Sequence, residues 1–326
     1  MRPYTQSAFT RAWLSACFTL AAGLAQAADL FADPAVSLLR TETFAAEAFG
    51  GYLTGTAREH VYNVPGDKTK LSQLDWTIDH AFVVGGRATV RPLDWLSIRA
   101  RGWMSVDGEG KLDDYDWFAG YSGPDSWTHW STHPDTRLKR AWQGDLSVAA
   151  SFWRQGGLGL SALAGYRVFT TKWEARGGSY IYSVAGLRDT AGTFPDTLGI
   201  AYQQWWQTPY LGLGLSYASD NVAITGEVIG SPWVRARDKD HHVLRNNLFE
   251  EDFKSAAMLG ASLGAEVQLF SGVWATGRME YQRYFETRGG TKIFDAATPT
   301  YLRLPKPAAG AESETVLFSL GLKAHL

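Results

Sequence analysis

The sequence predicts an all-β fold, a transmembrane antiparallel β-barrel of about ten strands with long extracellular loops. Three observations predict it. Apolar and polar residues alternate at period two in segment after segment. Short turn signals and long polar connections follow one another in regular rotation. The chain opens with an export signal, yet no later run approaches the roughly eighteen apolar residues of a membrane helix.

At the N-terminus, Arg2 and Arg11 precede the apolar stretch AWLSACFTLAAGLA, which ends at Ala25-Gln26-Ala27. Residues 1–27 therefore read as a secretory signal peptide and 28–326 as a single outer-membrane barrel domain. The tetrapeptide LSAC, ending at Cys17, resembles a lipoprotein cleavage box, but the apolar run continues well past it, which favours ordinary cleavage. Cys17 is the one cysteine of the chain, so the exported part has no disulfide or thiolate chemistry. With Arg2 and Arg11 removed, 29 basic residues face 33 acidic ones; the net charge of −4 leaves no footprint for nucleic acid.

Alternation is clearest in LSIRARGWMSV, residues 96–106. Leu96, Ile98, Ala100, Gly102, Met104 and Val106 share one face, and Ser97, Arg99, Arg101, Trp103 and Ser105 share the other. A soluble sheet would bury the apolar face, whereas a membrane barrel turns it to lipid and keeps the polar face for its lumen. Turn signals at 91–95 (RPLDW), 153–157 (WRQGG), 218–221 (ASDN) and 269–272 (LFSG) each join two such segments. Between these hairpins, 54–71, 107–143, 170–205, 231–254 and 286–313 are polar and read as the long loops. In the last segment, VLFSLGLKAHL, Val316, Phe318, Leu320, Leu322, Ala324 and Leu326 form a final lipid-facing strand. The thirteen tryptophans after Trp13 suit aromatic girdles at the two membrane interfaces. Ten strands make a poor open porin, because small barrels are filled by side chains. Function is expected in the loops and upper lumen.

Two clusters there carry chemistry. Asp114 and Asp116 stand two apart in KLDDYDWFAG, and Asp238, Asp240 and His242 occupy every second position of RDKDHHVLRN. In an extended chain each set shares one face. Like charges on one face raise each other's pKa, a pattern found at acid–base sites. From these residues alone a metal site, a charged pore lining and a proton-transfer site all remain open. So does a catalytically silent barrel serving as an adhesin. Ser131, His133 and Asp135 raise a serine-protease alternative, which three groups on one short stretch rarely satisfy geometrically.

Taken together, these stretches resemble the omptins, outer-membrane endopeptidases of Gram-negative bacteria. The matching pieces are REHVY (58–62), SQLDW (72–76), DYDW (114–117), HPDT (133–136), ARGGSYIYS (175–183), LRD (187–189), the Gly192–Pro195 motif and DKDHH (238–242), in family order. The resemblance implies a protease without a covalent intermediate. His242, oriented by Asp240, would act as general base on water, Asp114 would help hold that water, and Asp116 would assist binding or charge stabilisation. Glu59 and Asp238 match the pair of acids at the floor of the pocket for the residue before the cut bond, which implies cleavage after Arg or Lys. HPDT is expected to be a structural loop. His129 stands where some omptins carry an acid, so a strict dibasic preference is not implied.

No cofactor or metal is implied. The implied partners are cationic peptides or proteins and outer-membrane lipid, for a chain acting as a monomer. Omptins also carry a lipopolysaccharide-binding Tyr-x-Glu-x-Arg pattern. The corresponding stretch here, Tyr166 to Thr170, lacks the acid and the base, and a further basic position falls near Trp205, so a requirement for lipopolysaccharide stays open. A metal-dependent surface hydrolase is the remaining enzymatic alternative.

Overall fold

Ten long antiparallel strands close on themselves in the computed structural model, which describes residues 43–64, 66, 68–118, 126–296 and 298–325. The expected export signal at 1–27, with Cys17, and the terminal Leu326 lie outside the described residues. The strands are β1 Phe44–Tyr62, β2 Lys70–Leu93, β3 Leu96–Asp116, β4 His129–Gln155, β5 Leu158–Arg176, β6 Ser179–Tyr182, β7 Thr190–Thr193, β8 Leu198–Ala218, β9 Val222–His242, β10 Asn247–Phe270, β11 Val273–Asp295 and β12 Thr300–His325. Neighbours pair in chain order, with β8 next to β5, and the ring closes through β12 on β1, where Tyr52 opposes Phe318. The short strands β6 and β7 form a hairpin laid on the outer part of β4.

Each of the four turn signals falls at one end of the ring, between β2 and β3, β4 and β5, β8 and β9, and β10 and β11. At two of them glycine is required: Gly156 and Gly157 (φ 57° and 84°) and Gly272 (φ 73°) adopt left-handed backbone that other residues resist.

The alternation resolves as lipid outside and polar inside. Leu320 is 77% exposed, and Ile98, Met104, Leu213 and Leu263 join it in an apolar outer band. The opposite face of β3 points Arg99 to Glu227 of β9 and Arg101 to Glu280 of β11, across the lumen. Arg167–Asp145 at 2.9 Å, Arg87–Glu47 at 3.0 Å and Lys323–Glu266 at 2.8 Å pair further charges inside. In an enclosed lumen a charge persists only when paired, and these pairs line a cavity of about 280 Å³ inside the band.

Above it the lumen is plugged by rings. Trp76 stacks on Tyr202 (5.2 Å), Trp173 lies against both, and Trp206 stacks on Tyr284 (4.5 Å). Here the expectation of girdles is corrected in part. Trp76, Trp103, Trp173 and Trp206 are buried in the lumen, because this width is filled by large side chains.

The connections at the other end are also corrected. Most of the residues expected to be loop are strand: β1 runs on to Tyr62, β4 already begins at His129, and only the turn after His242 separates β9 from β10. Beyond the bilayer neither face of a strand needs to be apolar, so the ladder continues although the alternation fades. HPDT likewise lies within β4 rather than in a loop. In the 166–170 stretch, Tyr166 faces outward while Arg167 turns in to Asp145, so that stretch presents no charge to the outer wall.

Candidate active site

The extended strands carry the candidate residues clear of the apolar band. His242 ends β9 nine residues beyond Trp233, the last exposed large apolar residue of that strand. At about 3.3 Å per residue it stands some 30 Å along the strand from the apolar band. Asp238 and Asp240 are buried, while the intervening Lys239 points out, as period two requires.

His242 Nε2 lies 2.7 Å from Asp240 Oδ2. That contact makes Nε2 the protonated nitrogen and leaves Nδ1 with its lone pair. Phe249, from β10, meets the imidazole edge to face at 5.5 Å and fixes its plane. Burial alone would lower the His242 pKa, but the contact with Asp240 and the field of Asp114 outweigh it, so the net shift is upward.

Asp114 and Asp116 sit on one face at the end of β3, paired in register with Leu74 and Ser72 of β2. Ser72 Oγ donates to Asp114 Oδ1 at 3.3 Å. Burial, then the neighbouring Asp116, push the Asp114 carboxyl up to about 8, against the opposing pull of His242. Asp114 and His242 thus lie close enough that each changes the other's proton affinity. Asp116 is raised by burial, tempered by Ser72, His129 and Arg245.

Below this pair, Glu59 of β1, Asp238 of β9 and Glu251 of β10 converge from different strands, each no more than 4% exposed. Tyr202 rises from the aromatic plug to form their floor. Gln204 Nε2 donates to the Tyr202 oxygen at 2.7 Å, so the phenol donates its own proton to Asp238 Oδ2 at 2.9 Å. Burial raises Asp238 to about 8 and Glu59 well above the usual carboxylate range, with Asp240, Glu251, Asp238 and Asp114 adding to the push on Glu59. Glu59 Oε2 and Asp240 Oδ1 are buried without a hydrogen-bond donor.

All six residues singled out in the sequence, Asp114, Asp116, Asp240, His242, Glu59 and Asp238, therefore come together near the end of the barrel away from the short turns. Glu251, Tyr202, Ser72 and Arg245 were not found from sequence. Glu251 sits in the acidic run Glu250-Glu251-Asp252, whose relevance appears only once the register sets it opposite Asp238.

The serine alternative does not assemble. His133 Nδ1 is bonded to the Gly177 carbonyl at 2.6 Å, and Ser131 Oγ is 3.4 Å from Nε2. Asp135 is half exposed beside Arg137 and does not orient the imidazole. His129 Nδ1 lies 3.0 Å from Thr128 Oγ1, with its ring between Phe118 and Tyr182. Among the described residues, no three His, Cys, Asp or Glu side chains are grouped so as to hold a metal ion.

A model of the omptin family matches residues 40–326. The chain is 30% identical over 307 residues to the plasminogen activator of Yersinia pestis, covering 94% of this chain and 96% of that one. It is 32% identical over 292 residues to the outer membrane protease OmpP of Escherichia coli, covering 86% and 90%. The crystal structure of the outer membrane protease OmpT from Escherichia coli superimposes with a TM-score of 0.83 at 29% identity, covering 89% of this chain and 99% of that one.

Proposed function

The chain belongs to the omptin family and is a bacterial outer-membrane protease; from that premise we propose that it cleaves peptides and proteins after Arg or Lys, using a water molecule activated by His242. The observation that carries the proposal is the 2.7 Å contact of His242 Nε2 with the buried Asp240, which leaves Nδ1 free to accept a proton, with Asp114 near enough to feel the imidazole's charge. The short turns are periplasmic in such barrels, so the groove opens outward, to substrates outside the cell.

In this mechanism a water lies between Asp114 and His242 Nδ1. As its oxygen attacks the scissile carbonyl carbon, Nδ1 takes the proton and the carbonyl π electrons move onto oxygen. Asp240 stabilises the imidazolium so formed, as a buried carboxylate does at the back of a catalytic histidine. Collapse of the tetrahedral intermediate breaks the C–N bond, and the imidazolium returns its proton to the leaving amine. Asp116 supports substrate binding or the developing charge. The cationic side chain enters the pocket of Glu59 and Asp238, whose oxygens lie out of water and lack enough donors of their own.

Refolded protein offered a quenched peptide with one central Arg, with and without lipopolysaccharide, tests this. Cleavage is expected, insensitive to a chelator and to a serine-directed reagent. A peptide with Gln in place of Arg should survive. Failure of the Arg peptide under every lipid condition would turn the assignment toward an inactive barrel that serves adhesion.

The pH profile gives a second expectation. The base acts only when neutral, and its pKa is raised, so activity should be absent at acid pH and rise through a midpoint above the ordinary histidine value of 6.5. Asp114 contributes to that rise. The residual activity of Asp114→Asn should therefore show its ascending limb at lower pH, read from kcat against pH. An unmoved limb would mean that Asp114 and His242 are not coupled.

A further inference from the structure

Glu251 is a buried acid that the proposed mechanism leaves unused. It lies on β10, opposite Asp238 in the ladder, and is 4% exposed. Its surroundings can be named strand by strand: Asp238 and Asp240 on β9, Glu59 on β1, Tyr202 on β8 and the Thr291 hydroxyl on β11. No cation is among them. Three of these neighbours are carboxyls, and Glu59 Oε2, itself nine-tenths buried, has no donor. Surplus buried acceptors without donors are costly unless a ligand supplies the donors.

We propose that Glu251 is a third carboxyl of the pocket for the residue before the cut bond, and that it tunes that pocket toward Arg over Lys. This rests on the protease reading above and concerns only its specificity. The reason is geometric. A guanidinium presents five N–H donors in a planar fork, whereas an ammonium is a compact point charge with three. Two acids suffice to neutralise either. A third, set on the neighbouring strand at the level of Asp238, gives the remaining guanidinium edge an acceptor that a lysine does not need.

In the empty pocket Glu251 and Asp238 present oxygens to each other and hydrogen-bond only if one is protonated. Burial raises both carboxyls, and each adds to the cost of ionising the other, so the pair holds a proton between them. Entry of a cation favours the ionised carboxyls, so the three acids together give up a proton to solvent as the fork binds.

The test compares two quenched peptides, alike except for Arg or Lys before the cut bond, in wild-type protein and in Glu251→Gln. The isosteric amide keeps the volume and a hydrogen bond to Asp238, and retention of the folded barrel's heat-modifiable electrophoretic mobility checks the fold. The expected result is a fall of about tenfold in kcat/KM for the Arg peptide, mainly through KM, with no more than about a twofold change for Lys, so that the Arg-to-Lys ratio collapses. The proton released on binding should also make KM for Arg fall as pH rises in wild type, and less so in the variant. Glu251→Asp should restore part of the Arg preference. Equal losses on both peptides, or an unchanged ratio, would overturn the assignment while leaving the protease reading intact. Absence of cleavage by wild-type protein would instead overturn that reading.

Discussion

Replacing His242 with alanine is expected to lower kcat about 10³-fold, with KM for an Arg peptide close to that of wild type. A positioned general base contributes roughly 10²–10⁴ to rate. Here the imidazole is fixed on two sides, by Asp240 at 2.7 Å and by Phe249, and it stands at the level of Asp114 rather than in the acidic pocket. The loss should therefore fall on the chemical step. Asp240→Asn separates two ways in which the base could fail. It keeps the size of the side chain but removes the charge that stabilises the imidazolium and enforces the tautomer. A loss comparable to that of His242→Ala is expected, because the two groups act as a unit, with an ascending pH limb moved to lower pH. A variant that keeps wild-type kcat would place the base elsewhere.

Neutralising the pocket should act on the other constant. Asp238→Asn is expected to reduce kcat/KM for Arg and Lys peptides by about 10- to 150-fold, the equivalent of about 1.5–3 kcal/mol for one hydrogen bond to a charged group. The fold should survive, since an amide oxygen can still accept the Tyr202 proton and the amide nitrogen can donate to Glu251. Kinetics on an uncharged peptide provide the contrast: its slow cleavage should not suffer and should rise relative to Arg. An equal loss on charged and uncharged peptides would mean that Asp238 supports the groove in general rather than reading charge.

The barrel was legible because lipid imposes a rule on every crossing strand: apolar outside, polar inside. Ile98 and Met104 against Arg99 and Arg101 express it in six or seven residues, and the four tight turns mark where the rule restarts. Where lipid ends, the rule ends. For that reason 54–71 and 231–254 read as loops although β1, β9 and β10 continue through them. The one-face placement of Asp238, Asp240 and His242 was legible from alternation, and the roles proposed for them come from family resemblance. What period two cannot convey is which strand stands beside which. Glu251 and Tyr202 come beside Asp238 and Asp240 through the registers Asp238↔Glu251 and Tyr202↔Asp240, and Glu59 approaches them from β1. The tryptophans misled for a related reason. Composition cannot distinguish a ring at the bilayer interface from one that plugs a narrow lumen, as Trp76 and Trp206 do.

The most direct test of a groove that cuts after basic residues is to locate every cleaved bond by mass spectrometry. An unbiased mixture of long peptides would be digested by the refolded protein in lipopolysaccharide-containing detergent, beside an identical sample carrying His242→Ala. The account predicts new C-termini at Arg, and less often at Lys, in the wild-type digest and none above background in the variant. New C-termini spread over uncharged residues, or an undiminished pattern from the variant, would contradict it.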